Sequence, residues 1–450
     1  MDIGIIPDGT DISKMTSPRR SYVIVGAGVF GVSTAYHLIQ KYPDADITLV
    51  DRDAWNSDNR VAASWDWNKV VRADYDDLIY CRLAIEAQDV FKSDPLWQPY
   101  FHETGVYWMC RGSYAQDVIR NYKTLGRKAE ISAVPVAEAK ELYDGLFKDA
   151  DYTGVTEVLI NKTSGWAAAG DCLLAVTKRA IELGVKYVTQ EVSTLLMDQG
   201  RCRGVCTKSG KSFTADHVLL CTGAYTSKLL ELSADEAGDN NLRAGSRIVA
   251  GGITTGMAVL DDELFPQFEK MPVGFQGYPA EIGPFMGSLP PTKDREIKWW
   301  GPTIFRNTVE VTPGYQISAP PEGRDFGQWK VSKRLQEDIQ AAKRLFYGKK
   351  SENWPMAKHR ICWDAFTTSG DFIISPHSSA KGLYIATCGS FHGFKFFPVL
   401  GRYITQMLEG DLAPELVQKW AWDRERPDPA LNPEWPRAEM NDLQDTVAKL

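Results

Sequence analysis

Four stretches of this 450-residue chain hold residues whose types and spacing could do chemistry. The first is Gly26-Ala27-Gly28-Val29-Phe30-Gly31. It follows the β-branched run Tyr22-Val23-Ile24-Val25 and precedes Ala35 and Leu38 at helical spacing. A second apolar run, Ile47 to Val50, ends at Asp51. Gly26 permits a tight turn, Gly28 lets the backbone approach a pyrophosphate and Gly31 lets a helix sit against the strand, while the helix amino terminus attracts the anion. Asp51 is placed to accept hydrogen bonds from a ribose diol. The chemistry is dinucleotide binding. The acid argues against NADP, whose 2′-phosphate it would repel, and leaves FAD and NAD open.

The second stretch, Ser64 to Tyr75 (SWDWNKVVRADY), sets Lys69 and Arg72 three residues apart. They could face one anionic ligand; the alternative is a solvated basic pair flanked by acids. In the third, His359-Arg360-Ile361-Cys362-Trp363-Asp364, the cysteine sits beside two cationic residues that would favour thiolate. A buried inert thiol is the alternative there. In the fourth, Gly389 to Phe396 (GSFHGFKF), Lys395 lies inside an aromatic run. Burying an ammonium needs a partner, so this lysine is read as functional.

Elements elsewhere in the chain must hold these groups. Asp171 to Gly184 has helical spacing and a glycine stop, followed by strand-like runs at 185–197 and 202–208. His217 to Gly223 and Gly382 to Gly389 each form a buried strand ending in glycine. Residues 85–150 mix helix-like and aromatic segments, 233–241 is a polar loop, and 250–330 resembles an antiparallel sheet with long loops. Ser332 to Phe346 is an amphipathic helix with Leu335, Ile339, Ala342 and Leu345 on one face, stopped by Gly348. The expected architecture is α/β. A cofactor domain from 21–84, 151–232 and 355–410 interleaves with a substrate domain from 85–150 and 233–354, between a flexible segment 1–20 and a tail 411–450.

Composition excludes other classes. Lys plus Arg number 51 against 58 Asp plus Glu, a net charge of −7, which gives no electrostatic reason to seek nucleic acid or anionic lipid. Apolar residues at 44% and charged ones at 24% are ordinary globular values, so a disordered or fibrous chain is not expected. The eight cysteines form no CxxC, and the six histidines are scattered, so no metal is expected and the thiols are read as reduced. Residues 1–20 do not read as a signal peptide, and no stretch approaches the ~18 apolar residues of a membrane span. Ala448-Lys449-Leu450 is a close variant of the Ser-Lys-Leu peroxisomal address.

Taken in order, the fingerprint, the NKVVR segment, the RICWD cysteine and the GSFHGFKF segment give a family likeness. The chain resembles the sarcosine oxidase-like flavoenzymes, which oxidise secondary amines with covalent FAD. Its nearest likeness there is the fungal branch of fructosyl amino acid oxidases (amadoriases) and pipecolate or saccharopine oxidases. The resemblance covers about residues 20 to 425. It implies a glutathione-reductase-type FAD-binding (Rossmann-like) domain with an interleaved α+β substrate domain containing a mixed β-sheet. Cys362 then matches the cysteine whose sulfur bonds the flavin 8α-carbon, and Arg72 and Lys395 match the pair that holds a substrate carboxylate. Lys69 matches a cation near the flavin face. Lys298, in Glu296-Ile297-Lys298-Trp299, resembles the lysine that activates oxygen at flavin N5. The residues expected against the flavin are Gly26, Gly28, Phe30, Gly31, Asp51, Arg52, Ser64, Asn68, Lys69, Val192, Gly223, Cys362, Gly389, Phe391, Gly393, Phe394 and Lys395.

The activity this implies is oxidation of a secondary amine to an imine with oxygen reduced to hydrogen peroxide. The partners are a small amine or amino acid and O2, with no nucleic acid or membrane, and the enzyme is expected as a monomer, peroxisomal or otherwise cytoplasmic. Trp65 and Trp67 stand where amadoriases have small residues before Asn-Lys. Asp423 follows Trp420-Ala421-Trp422 where they have arginine, and Asp364 replaces an aromatic of the bacterial sarcosine enzymes. The expected substrate is therefore a bulkier N-substituted amino acid, with Asp364 near its cationic end. The alternatives are a fructosyl amino acid, a secondary-metabolism amine whose imine closes a ring, a flavin dehydrogenase with a protein acceptor, an NAD-dependent dehydrogenase and a non-catalytic dinucleotide sensor.

Overall fold

The structure is a computed structural model that describes residues 20–277, 285–322, 328–424 and 440–447. The amino-terminal segment and Ala448-Lys449-Leu450 lie outside the described residues. Two sheets dominate. The first has six strands in the order Ile373–Pro376, Leu383–Thr387, His217–Leu220, Ser21–Val25, Asp46–Asp51 and Lys186–Thr189. All neighbours are parallel except the edge strand Ile373–Pro376. The apolar runs make this arrangement possible, because a parallel sheet is covered on both faces and needs side chains that tolerate burial on either. Helices Val29–Lys41, Ala169–Glu182 and Phe397–Glu409 cover one face. The meander Val192–Asp198, Arg201–Thr207, Ser212–Thr214 and the helix Thr226–Ala237 cover the other.

The second sheet runs Met356–Phe366, Val249–Val259, Glu296–Arg306, Met286–Leu289, Val273–Gln276, Val106–Cys110, Glu157–Asn161 and Ile131–Val134, with Asn441–Asp442 beside Glu296–Arg306. It is mixed: Val273–Gln276 pairs in parallel with Val106–Cys110, while the rest of the main path is antiparallel. The helix Lys333–Tyr347 lies against it, opened by the Ser332 hydroxyl accepting from Leu335 N and ended at Gly348. Its buried face uses Leu335, Ile339, Ala342 and Phe346, with Leu345 only half-buried. A short sheet of Lys69–Val71, Gly165–Ala167 and Phe101–His102 completes the frame.

Two sequence expectations change. Residues 233–241 are not all loop, since the helix continues to Ala237 and only then ends at Gly238 with φ 63°. Ser233 reads as polar but is buried; its hydroxyl donates to Leu229 O at 2.6 Å and accepts Leu195 N at 3.0 Å, tying helix to meander. The chain also crosses between sheets at different places from those expected. Glu157–Asn161 and Met356–Phe366 pair within the second sheet, although both fall in segments expected to build the cofactor domain. Among the described residues no helix is long and apolar enough to cross a membrane, and none of the eight cysteines is in a disulfide.

Candidate active site

Where the first sheet ends, a cavity of about 740 Å³ opens along the Gly26–Gly31 turn. Strand Ser21–Val25 passes into Gly26 at φ 99°, and a side chain there would meet Cys221 O at 2.4 Å. A side chain on Gly31 would lie 1.9 Å from Gly26 O, so the turn closes only with glycine at both positions. The following helix begins at Gly28 with no side-chain cap and no acid in its first turn. Its first N–H groups and positive end are thus left to an anion. Asp51 at the next strand end accepts from Ala27 N at 2.6 Å and Asp53 N at 2.9 Å. Burial pushes its carboxyl up, with nearby Arg60 and these two N–H groups pulling partly back. The Arg52 guanidinium stacks 4.1 Å from the Tyr225 ring centroid. A Cβ on Gly223 would touch nothing within 4 Å and would project into the cavity it lines. An acceptor for a diol, an uncapped helix end for a pyrophosphate and a cradle kept open by glycine fit FAD.

A second cavity, of about 510 Å³, adjoins the first, and Lys69, Cys362, Phe391 and Phe394 line both. Strand geometry assembles this junction. Cys362 and Arg360, two residues apart on Met356–Phe366, share a face of the second sheet with Lys298 and Trp300 on Glu296–Arg306. The short strand Lys69–Val71 brings its lysine over that face. Lys69 Nζ stands 3.7 Å from Cys362 Sγ, so the cation beside the thiol is Lys69 rather than the sequence-adjacent His359.

Behind this wall lies Asp66, whose side chain is fully buried. Its Oδ2 receives Lys298 Nζ at 2.7 Å and Lys69 Nζ at 2.8 Å, and Arg360 Nη1 lies 3.6 Å from Oδ1. Burial alone would push Asp66 up, but the three cations hold it well below the usual carboxylate range. Burial brings Lys298 down to about 8 against the pull of Asp66, with Lys69 adding repulsion. Lys69 is held above its ordinary value, its desolvation outweighed by Asp66 and the Cys362 sulfur.

Arg72 and Lys395 sit together on the far wall of the second cavity. The Arg72 guanidinium lies 4.4 Å from the Tyr75 ring centroid and 4.7 Å from that of Trp108, and it donates to Asp74 O. Lys395 Nζ donates to His392 O at 2.9 Å. Burial, then the charge of Arg72, drives the Lys395 ammonium well below its ordinary pKa. Burial, then the charge of Lys395, drives His392 well below its ordinary pKa, and its ring accepts or donates at Tyr75 OH (3.0 Å) and Gly370 O (2.9 Å). With Nε2–H on the Gly370 carbonyl, Nδ1 is the acceptor for Tyr75.

The expected cofactor residues separate into groups. Gly26, Gly28, Phe30, Asp51, Arg52, Ser64, Lys69, Val192, Gly223, Cys362, Gly389, Phe391, Gly393 and Phe394 line the first cavity. Gly31 supports it from behind, while Asn68 and Lys395 line the second cavity instead. Asp364 was expected near a substrate's cationic end. It lines the first cavity and accepts Phe391 N at 2.9 Å and Ala365 N at 2.8 Å. Burial pushes its carboxyl up to about 6. It anchors a turn in which Cys388, Ser390 and Phe391 all have positive φ (66°, 46° and 58°). Asp423 pairs with Arg247 away from the second cavity; among the described tail residues Lys419 reaches the cavity, 2.9 Å from both Asp77 and Asp371.

Sequence reasoning missed Asp66 and His392. Asp66 lies between Trp65 and Trp67, so the argument applied to Lys395, that a charge in an aromatic run needs a partner, would have found it. His392 carried no signal of its own, because its neighbours Tyr75 and Gly370 are remote in sequence.

Residues 21–407 match the family described as DAO, FAD dependent oxidoreductase. The chain is 28% identical over 427 residues to the L-saccharopine oxidase of Schizosaccharomyces pombe, covering 90% of this chain and 93% of that one. It is 25% identical over 470 residues to the amino acid oxidase imqH of Aspergillus flavus, covering 88% and 93%. Among solved structures, amadoriase II, a fructosamine oxidase from Aspergillus fumigatus, superposes with a TM-score of 0.77 at 25% identity, covering 95% and 96%. A thermally stable fructosyl peptide oxidase mutant gives 0.79 at 22% identity, covering 95% and 98%, a likeness that speaks to the fold.

Proposed function

The chain belongs to the FAD-dependent oxidoreductase family, and on that footing we propose an amine oxidase acting on the C–N bond of an N-substituted amino acid, with dioxygen reduced to hydrogen peroxide. The observation that carries this reading is the pair of cations Arg72 and Lys395 on a cavity that shares a wall with the dinucleotide cavity. FAD, when bound, supplies the acceptor for hydride from the carbon beside nitrogen and hands the electrons to oxygen. A family built on FAD removes the NAD-dependent dehydrogenase from the alternatives.

Each residue group has a task that follows from its chemistry. Arg72 offers a planar fork and Lys395 a point charge, which together suit a carboxylate in a partly dry cavity. Tyr75, Phe275, Phe285 and Trp300 wall the same cavity and strip water from an amine, favouring its neutral, hydride-donating form. Lys69, on the wall between the cavities, and Lys298, beside it in the second cavity, give fixed positive charge where negative charge develops as oxygen is reduced. Cys362, beside the Lys69 ammonium, is the attachment point for the flavin. The names of the relatives, an L-saccharopine oxidase and an amino acid oxidase, support an amino-acid amine. A peroxide-producing enzyme also gives Ala448-Lys449-Leu450 a purpose as a peroxisomal address.

Peroxide release across sarcosine, pipecolate, saccharopine, fructosyl-lysine and N-methylated aromatic amino acids tests the substrate class. Turnover of the bulky N-substituted acids is expected, and fast turnover of fructosyl-lysine alone would overturn it. Acid denaturation tests the linkage: a yellow pellet that turns colourless in Cys362→Ala is expected, and free flavin over a colourless wild-type pellet would refute it.

A further inference from the structure

Asp66 carries an arrangement that the functional reading does not use. One carboxylate oxygen, Oδ2, receives two ammonium groups, Lys298 at 2.7 Å and Lys69 at 2.8 Å. Asp66 lines neither cavity, so it touches no ligand, whereas both of its lysines line the second cavity. Lys298 also donates to Asn68 O at 3.1 Å, and Asp66 Oδ1 accepts Trp67 N at 2.8 Å, which fixes the carboxylate on its own loop. The charged groups facing Lys298 are Asp66, Lys69, Arg360 and the Cys362 thiol, with Lys358 across the Trp67 indole. Its neighbours across the sheet, Met257 and Leu289, are apolar. Three cations therefore share one anion in a buried space.

We propose that Asp66 is the positioning residue of the oxygen-reducing wall: through one carboxylate oxygen it holds Lys69 and Lys298 side by side as cations, so that both charges are present together. This rests on the amine-oxidase reading above and names the group on which its lysines depend. Two ammonium groups sharing an oxygen would repel each other without it, and in a low-dielectric space the less favoured one sheds its proton. Lys298, already brought down to about 8, is the one that gives way. Removing this negative charge should then remove a positive one as well and slow the reaction with oxygen.

The test uses flavin-loaded enzyme with Asp66→Asn, Asp66→Glu, Lys298→Met and the Asp66→Asn/Lys298→Met double variant. Two quantities are read: the pH midpoint of the visible flavin spectrum, and the separate rates of flavin reduction and reoxidation. Wild type should show a spectral midpoint that Lys298→Met abolishes. Asp66→Asn should move it to lower pH by about one unit or more and slow reoxidation at pH 7 by on the order of tenfold, with reduction changed far less. Asp66→Glu keeps the charge and should keep the midpoint. The double variant removes one charge of each sign, so it covers the case in which Asp66→Asn does not fold. It should reoxidise as Lys298→Met does, because Asp66 acts through that lysine. An unmoved midpoint in Asp66→Asn, equal slowing of both half-reactions, or a further tenfold loss in the double variant would each overturn the proposal. If Lys298→Met itself leaves reoxidation unchanged, the role given to Lys298 falls first.

Discussion

The two cavities meet at Lys69, Cys362, Phe391 and Phe394 but hold their ligands differently. The first is framed by main chain at a glycine turn, an uncapped helix start, and a turn of three left-handed residues clamped by Asp364. The second is framed by side chains, cations set among aromatic rings. Main-chain recognition depends on exact approach and tolerates no added atoms. Side-chain recognition depends on charge and can change without unfolding the frame. Substitutions in the first cavity should therefore cost cofactor and fold, and those in the second should cost turnover alone.

The sharpest way to break this contrast is Gly31→Ala. Its methyl would lie 1.9 Å from Gly26 O, a backbone atom that cannot rotate aside. Overpacking a tight core costs about 1–3 kcal/mol and more where backbone must shift, so the yield of flavin-loaded protein should fall by on the order of tenfold or more. The flavin-to-protein absorbance ratio measures it. Full flavin content in Gly31→Ala would mean that the turn has slack and the contrast is wrong.

In the second cavity Lys395→Met is the counterpart. Truncating one partner of a buried charge contact costs about 2–5 kcal/mol, so kcat/KM for the carboxylate substrate should fall by on the order of 10²–10³-fold with flavin content intact. The charge argument gives a second readout. Lys395 is driven well below its ordinary pKa by burial and by Arg72, and a bound carboxylate would draw the proton back. Binding of a non-reacting carboxylate inhibitor should be accompanied by proton uptake, seen by calorimetry in buffers of different ionisation enthalpy. Lys395→Met should take up none. Proton uptake persisting in the variant would assign the titration to another group.

This contrast also explains what could be read from the sequence. The first cavity was legible because its parts are contiguous: strand, Gly26 to Gly31, helix and Asp51 lie within about thirty residues and follow from local backbone needs. Lys395 and Cys362 were visible as chemically odd residues in their own runs. Asp66 and His392 were not, because their meaning lies in partners supplied by folding: Lys298 to Asp66 across 232 positions, and Tyr75 to His392 across 317. Asp364 was seen, but its partner Phe391 N was not, because it belongs to a strained turn that no residue type announces. The same locality explains Ser233, whose polarity suggested a loop while its hydroxyl was taken up inside the fold.

Asp364 and Asp66 carry the comparison down to its smallest expected effect. Asp66 is fully buried among three cations, whereas Asp364, half-buried on the first cavity, is held by two backbone N–H groups with Lys69 as a weaker influence. Three close cations outweigh desolvation; two N–H dipoles with the weaker pull of Lys69 do not, and Asp364 rises to about 6 from an ordinary 3.8. The sign follows from linkage. The folded state holds this proton more tightly than the unfolded chain, so the stabilisation is full below the ordinary value and is lost as pH climbs toward 6. Asp364→Asn cannot titrate and loses one acceptor for the turn. It should be less stable than wild type at pH 4.5, by about 1–3 kcal/mol, and the gap should narrow by pH 7.5 as wild type takes on a buried charge. Thermal melts of the flavin-loaded pair across this range, compared as differences so that other carboxylates cancel, measure it. A gap that stays constant with pH would mean that Asp364 is ionised throughout. The first cavity would then contain, like the second, a charge held chiefly by a cation, Lys69, rather than by main chain.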